Sequence, residues 1–173
     1  KIDFYNFSCS IKYKMIKYMN LIGQNAKKAS LEKIKTKTKN KILKRYALLL
    51  HKEKSSIIIE NTKDIKFALK KGLKKNLIDR LTINHKKLDD IKASINKIIK
   101  LKDPVDNILE KWSRPNGLKI KRVSIPIGVI GVIYESRPDV TSDVASLCFK
   151  SGNTVILKGG SEAINTNKIL AKL

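Results

Sequence analysis

Two kinds of hydrophobic spacing divide the chain. From residue 25 to 103, apolar positions recur at helical intervals on a polar, lysine-rich background. Ile42, Tyr46, Leu49 and Leu50 share one helical face, and Leu88, Ile91, Ile95 and Ile98 share another. Thr82 or Asn84 caps the second helix, and "KDPVD" at 102–106 ends it, because Pro104 disfavours helix in the residue before it. Gly72 closes a further helix in "IKFALKKGL". The intervening lysines read as solvated faces.

After residue 112 the period shortens. "RPNGLKIKRVSIP" carries a turn signal and then alternation, with Leu118, Ile120, Arg122 and Ser124 opposite Lys119, Lys121, Val123 and Ile125. That predicts a strand with one wet face, or an arm crossing between domains. "IPIGVIGVIY" holds ten uncharged residues rich in β-branched types, the pattern of a strand buried on both faces of a parallel sheet. Pro138 fits the first turn of a helix, Val140, Val144, Leu147 and Cys148 mark its apolar face, and Gly152 ends it. "TVILK" predicts a second buried strand and "GGSEAINTNKILAKL" a second helix. Strand, helix, strand, helix with short connections is the parallel βαβ unit. The fold class is α/β, a helical N-terminal region followed by an incomplete parallel sheet, so the chain reads as a fragment. The expected division is 1–19 unplaced, 20–112 helical, and 113–173 strand arm plus first βαβ unit.

Charge raises a rival. A net charge of +23 and a pI near 10.1 point first to a basic helical nucleic-acid-binding protein. Yet 33 of the 38 cationic side chains are lysine and only five arginine, whereas base and phosphate recognition favours the forked guanidinium. The lysines are spread along the chain and accompanied by 25 isoleucines and 13 asparagines, a bias that reads as drift in an AT-rich genome. Cys9, Cys148, His51 and His85 supply neither a disulfide framework nor zinc spacing, and Cys148 reads as a buried, inert thiol. No apolar run approaches the ~20 residues that span a bilayer. The opening residues lack a signal-peptide core and a cleavage site, with the natural start at Met15, Met19 or upstream, and a cytoplasmic protein is expected.

Candidate chemistry lies at the two strand ends, "YESRPD" at 134–139 and "LKGGSEA" at 157–163. In open parallel sheets, ligands bind outside the carboxyl ends of the strands. Gly159 and Gly160 let the backbone approach a ligand, Ser161 suits a helix N-cap whose amides attract anions, and Lys158 adds a mobile cation. The stretch is neither a Walker A loop nor G-x-G-x-x-G, and a plain strand-to-helix turn with a solvated lysine reads equally well. Arg137 binds an anion, or pairs with Glu135 or Asp139.

The run "PIGVIGVIYESRPDVTSDVASLCFKSGNTVILKGGSEAINTN" closely resembles the γ-glutamyl phosphate reductases (glutamate-5-semialdehyde dehydrogenases) of the aldehyde dehydrogenase superfamily. Upstream, "NTKDIKFALKKGLKKNLIDRLTINHKKLDDI" followed by "LKDPV" is similar to the helical N-terminal part of that family. The resemblance implies a Rossmann-like NADP(H)-binding domain, a catalytic domain and an oligomerisation arm. It implies NADPH-dependent reduction of L-glutamyl 5-phosphate to L-glutamate 5-semialdehyde with release of phosphate, the second step of proline biosynthesis. A homo-oligomer follows for the complete enzyme, with a glutamate 5-kinase as candidate partner and neither membrane nor nucleic acid. The family's nucleophilic cysteine falls beyond Leu173, so this chain alone is expected to be inactive. Lys158 matches the lysine that reaches the adenosine ribose and its 2′-phosphate. Ser161 stands where many NAD-preferring relatives carry glutamate, which favours NADP. Gly159, Gly160 and Glu162 complete the cofactor set, and Ser136, Arg137 and Asp139 border the substrate pocket. Many bacterial members carry asparagine where Asp139 stands, and an ionised aspartate accepts hydrogen bonds but donates none to an oxyanion.

Overall fold

The computed structural model describes the backbone of residues 4–173 and the side chains of residues 14–173, so Cys9 lies outside the described side chains. Five helices come first, α1 (Phe4–Ser30), α2 (Thr36–Lys52), α3 (Lys54–Lys70), α4 (Lys75–Leu81) and α5 (His85–Lys100). Strands β1 (Ile108–Ser113) and β2 (Lys119–Val123) follow, then β3 (Val129–Ile133), α6 (Pro138–Lys150), β4 (Thr154–Lys158), a 3₁₀ turn at Ser161–Ala163, and α7 (Ile164–Lys172). β3 and β4 pair in parallel across α6, which is the expected βαβ unit. Helix α1 begins well before residue 25 and extends into the segment expected to be unplaced. Among the described residues no helix is long and apolar enough to cross a membrane.

The core forms where helical periodicity is cleanest. On α5, Leu88, Ile91, Ile95 and Ile98 are all buried, as their spacing requires. Asn84 starts that helix, its Oδ1 accepting from the Lys87 amide at 2.8 Å. These side chains join Leu43, Ala47, Leu50, Ile57, Ile83 and Leu170 in one cluster. Each fully buried Leu or Ile there contributes about 1.5–3 kcal/mol. On α2 the buried stripe is Leu43, Ala47 and Leu50, one position from the expected face, and Ile42 is 46% exposed.

Two lysines depart from the solvated reading. Lys39 and Lys150 are each 3% exposed. The Lys39 ammonium bonds Asp103 at 3.0 and 3.2 Å and the Lys150 carbonyl at 3.2 Å. That of Lys150 donates to Asn40 Oδ1 at 2.6 Å and Ile99 O at 3.0 Å. Burial pushes the Asp103 carboxyl up, but bonds from the Val105 amide, Lys39 and Thr36 outweigh it and hold it below its ordinary value. The two cations act as clamps between α2, the end of α5 and α6.

Helix α6 corrects another expectation. Its inward face is polar, with Thr141, Ser142, Ser146 and Lys150 buried, while Leu147 is 47% exposed. Two of its hydroxyls find partners, Ser142 Oγ lying 2.8 Å from Tyr46 Oη and Thr141 Oγ1 2.6 Å from Tyr134 Oη, while Ser146 Oγ is buried without a hydrogen-bond partner among the described residues. Cys148 is buried as expected. Gly152 ends the helix at φ +74°, and a Cβ there would come within 2.9 Å of Val105 Cγ2, so glycine is required twice over.

The strands differ most from their pattern. β1 was not apparent in the sequence. It pairs antiparallel with β2 through the Arg114–Gly117 turn, and the hairpin is exposed on nearly every residue. The alternation around β2 therefore buries no face, and Leu118 is 56% exposed. β3 is shorter than its apolar run and exposed at alternate positions, with Ile125, Ile127 and Ile133 at 77–84%. Its β-branched composition suits a doubly covered strand, but β4 is its only strand neighbour among the described residues.

Candidate functional site

The parallel register fixes the geometry of the site. Ile133 lies opposite Lys158, and the Tyr134 amide donates to Lys158 O at 3.1 Å, so both polar segments leave the sheet side by side. Ser136, 4% exposed, joins them by donating from Oγ to Glu162 Oε1 at 2.6 Å. That bond is the main reason the Glu162 carboxyl sits below its ordinary value of 4.5, outweighing the opposing effect of burial. A carboxylate with a depressed pKa stabilises the fold above its unfolded value, and the contribution is lost as pH falls through the folded one. Ser136→Ala is therefore expected to destabilise most near neutrality, with the gap from wild type closing below about pH 4.5. Unfolding measured across pH 3–7 checks this; a gap independent of pH sinks it.

The glycine pair serves the fold differently from its sequence reading. A Cβ on Gly159 would lie 2.2 Å from Asn167 Nδ2 and 3.1 Å from the Tyr134 ring, and one on Gly160 would lie 2.1 Å from Glu162 Oε1. The space that glycine leaves is filled from inside. Asn167 is itself held, its Oδ1 accepting from Thr141 Oγ1 at 2.9 Å, and Thr141 lies 2.6 Å from Tyr134 Oη. Close internal packing against Asn167 and Tyr134 by itself requires glycine at position 159.

Ser161 is also not the helix cap. Gly160 precedes the 3₁₀ turn, and Ala163 precedes α7. The α7 amides of Asn165 and Thr166 donate to Asp64 of α3 at 3.1 and 2.8 Å. The same carboxylate accepts from Asn165 Nδ2 at 2.8 Å and Thr166 Oγ1 at 2.6 Å. Asp64 is 1% exposed. The first amides of α7 thus hold an internal anion.

Side-chain donors remain available. Lys158, the last residue of β4, and Ser161, three positions on, are both exposed. Among the described residues no hydrogen bond or ion pair engages the Lys158 ammonium, and Ser161 Oγ has only a long, 3.4 Å contact to Glu162 Oε2. On the other strand end Arg137 is 59% exposed and pairs with Asp139 Oδ2 at 3.4 Å, so of its two candidate partners Asp139 is the one engaged. Burial raises the Cys148 pKa, which leaves that thiol a poor nucleophile. Among the described residues no group of three or more His, Cys, Asp or Glu could hold a metal ion.

Known proteins share this sequence and fold. A γ-glutamyl phosphate reductase of Clostridium botulinum (strain Alaska E43 / Type E3) is 47% identical over 154 residues, 88% of this chain and 37% of the relative. One from Halothermothrix orenii is 49% identical over 153 residues, covering 87% and 37%. The crystal structure of γ-glutamyl phosphate reductase from Thermotoga maritima superposes with a TM-score of 0.83 at 41% identity, over 86% of this chain and 36% of that one. Over 88% of its length the chain is similar to γ-glutamyl phosphate reductases. It spans 37% of the length of these curated relatives and matches the N-terminal part of the family's structure. No protein-family model matches it. The nucleic-acid-binding alternative gains no support from γ-glutamyl phosphate reductase relatives.

Sequence reasoning missed Asp64, Asn167, Tyr134 and Thr141, which build the turn bearing Lys158 and Ser161. It also missed Arg80, which comes to the same cleft as Arg137. The scarcity of arginine in a lysine-rich chain was the available signal.

Proposed function

We propose that the chain forms the nucleotide-facing wall, and part of the substrate-facing wall, of an NADP(H)-dependent γ-glutamyl phosphate reductase. The reaction reduces L-glutamyl 5-phosphate to L-glutamate 5-semialdehyde and releases phosphate, a step of proline biosynthesis. The observation that carries the reading is the pairing of β3 with β4, which sets "YESRPD" and "LKGGSEA" at one sheet edge in a chain similar to this family. When bound, the nicotinamide cofactor supplies the hydride.

The chain's own residues bind and orient. Lys158 and Ser161 donate to the 2′-phosphate, which discriminates NADPH from NADH. Ser136 keeps Glu162 fixed across the two segments, so the turn that presents those donors is braced. Arg137, exposed and weakly paired, takes a carboxylate or phosphate oxygen of the substrate. The acyl phosphate is labile, so a kinase acting on the glutamate side chain supplies it. The nucleophile and the rest of the pocket are assigned to the part of the family fold that these residues do not span.

The test is cofactor binding to the chain, read by nicotinamide fluorescence. NADPH is expected to bind more tightly than NADH, and Lys158→Gln to weaken NADPH about tenfold while changing NADH by less than about threefold. Equal loss for both removes Lys158 from the 2′-phosphate; no binding of either overturns the reading.

A further inference from the structure

A cleft of about 450 Å³ opens between the α4–α5 junction and the turn after β3, walled by Asp79, Arg80, Lys87, Arg137 and Asp139. Every wall residue is ionisable, three cationic and two anionic, and two of the chain's five arginines are among them. Lys87 fixes the backbone beneath one of these, donating to Arg80 O at 2.9 Å and Thr82 O at 2.8 Å. Arg80 and Asp79 form no ion pair among the described residues. Arg137 and Asp139 meet only at 3.4 Å, with the guanidinium largely in water, where such a pair holds weakly. The other Asp139 oxygen, Oδ1, is buried without a hydrogen-bond partner among the described residues.

The mixture of signs decides what fits. A phosphate dianion brought here meets two carboxylates and gains little. A molecule bearing an ammonium and a carboxylate on one carbon complements both signs at once. The guanidinium fork matches a carboxylate in two-point geometry, which a lysine does not. We propose that this cleft holds the α-amino-acid end of the substrate, with Arg80 and Arg137 on the α-carboxylate and Asp139 and Asp79 facing the α-ammonium. The ammonium competes with Arg137 for Asp139 and so releases the guanidinium to the carboxylate. The assignment rests on the function proposed above and deepens it, naming which end of a glutamyl substrate these residues grip.

The test follows the chain by ¹H–¹⁵N spectra, reading the arginine side-chain signals and the amides flanking Arg80 and Arg137. L-glutamate, glutarate, 4-aminobutyrate and inorganic phosphate are titrated separately. L-glutamate is expected to shift those signals, with glutarate (no ammonium) and 4-aminobutyrate (no α-carboxylate) each binding about tenfold more weakly. Arg80→Gln and Arg137→Gln, both at exposed positions, are each expected to weaken L-glutamate about tenfold with thermal unfolding unchanged. Equal response to glutarate and L-glutamate, a stronger response to phosphate, or no shift at these signals overturns the assignment. NADPH added to the same sample separates the two readings. A cofactor response at Lys158 and Ser161 without one to L-glutamate removes the cleft alone. An L-glutamate response without one to NADPH removes the cofactor reading and leaves an amino-acid site.

Discussion

Asp64→Ala is expected to lower the stability of the chain by about 3 kcal/mol, and its melting temperature by roughly 6–12 °C. The reason is the number of groups left behind. One carboxylate accepts four hydrogen bonds from Asn165 and Thr166, two of them from main-chain amides at the start of α7. Alanine provides no acceptor, and Thr166 is fully buried, so water does not readily replace it. Asn61 is part of the same knot, donating to Thr166 Oγ1 at 3.1 Å and accepting from the Ile83 amide at 2.7 Å. The loss therefore spreads from α7 to the junction after α4. Asp64→Asn keeps one acceptor oxygen and is expected to cost about half as much. Thermal unfolding of the three proteins decides it; a melting point for the alanine variant within about 2 °C of wild type removes Asp64 from its capping role.

Ser161→Glu is expected to weaken NADPH about a hundredfold and NADH only severalfold. Two effects add for the phosphorylated cofactor alone. A hydroxyl donor to the 2′-phosphate is lost, and a second carboxylate arrives beside Glu162, whose own carboxyl Ser136 already holds in the ionised range. The position is exposed and makes only one long contact, so the fold tolerates the change. Dissociation constants for both nucleotides, measured on wild type and variant, provide the check. Parallel losses for the two cofactors place the 2′-phosphate elsewhere.

Legibility followed locality. The α5 face was readable because four branched side chains repeat at helical spacing and the cap lies three residues from the amide it accepts from. The βαβ unit was readable because Pro138 and Gly152 punctuate it and both strand runs are apolar. Helix α2 was placed one position off because Ile42 and Tyr46 compete with Leu43 and Ala47, and only the packing against α5 selects between them. "ILEKWS" gives no strand signal, since its apolar residues do not alternate and both faces of the hairpin stay wet. The polar inward face of α6 makes sense only once Tyr46 and Tyr134 are seen to meet Ser142 and Thr141.

At the site, the identity of the turn was legible and its wiring was not. Lys158 and Ser161 stand exposed at the strand end, where their spacing put them. The partner that closes α7 lies 101 and 102 residues away from the amides it accepts from, and no local motif announces such a contact. The glycines drew attention for a ligand's sake, while their neighbours Asn167 and Tyr134 explain Gly159 without one. Arg80 was passed over as one more surface cation.

The internal carboxylate at the start of α7 also bears on how such a protein changes over generations. On the function proposed above, with those main-chain donors already engaged within the protein, telling one coenzyme pool from the other is left to two surface side chains, Lys158 and Ser161. A lineage can then exchange its reductant by altering a codon or two, without re-solving the packing beneath.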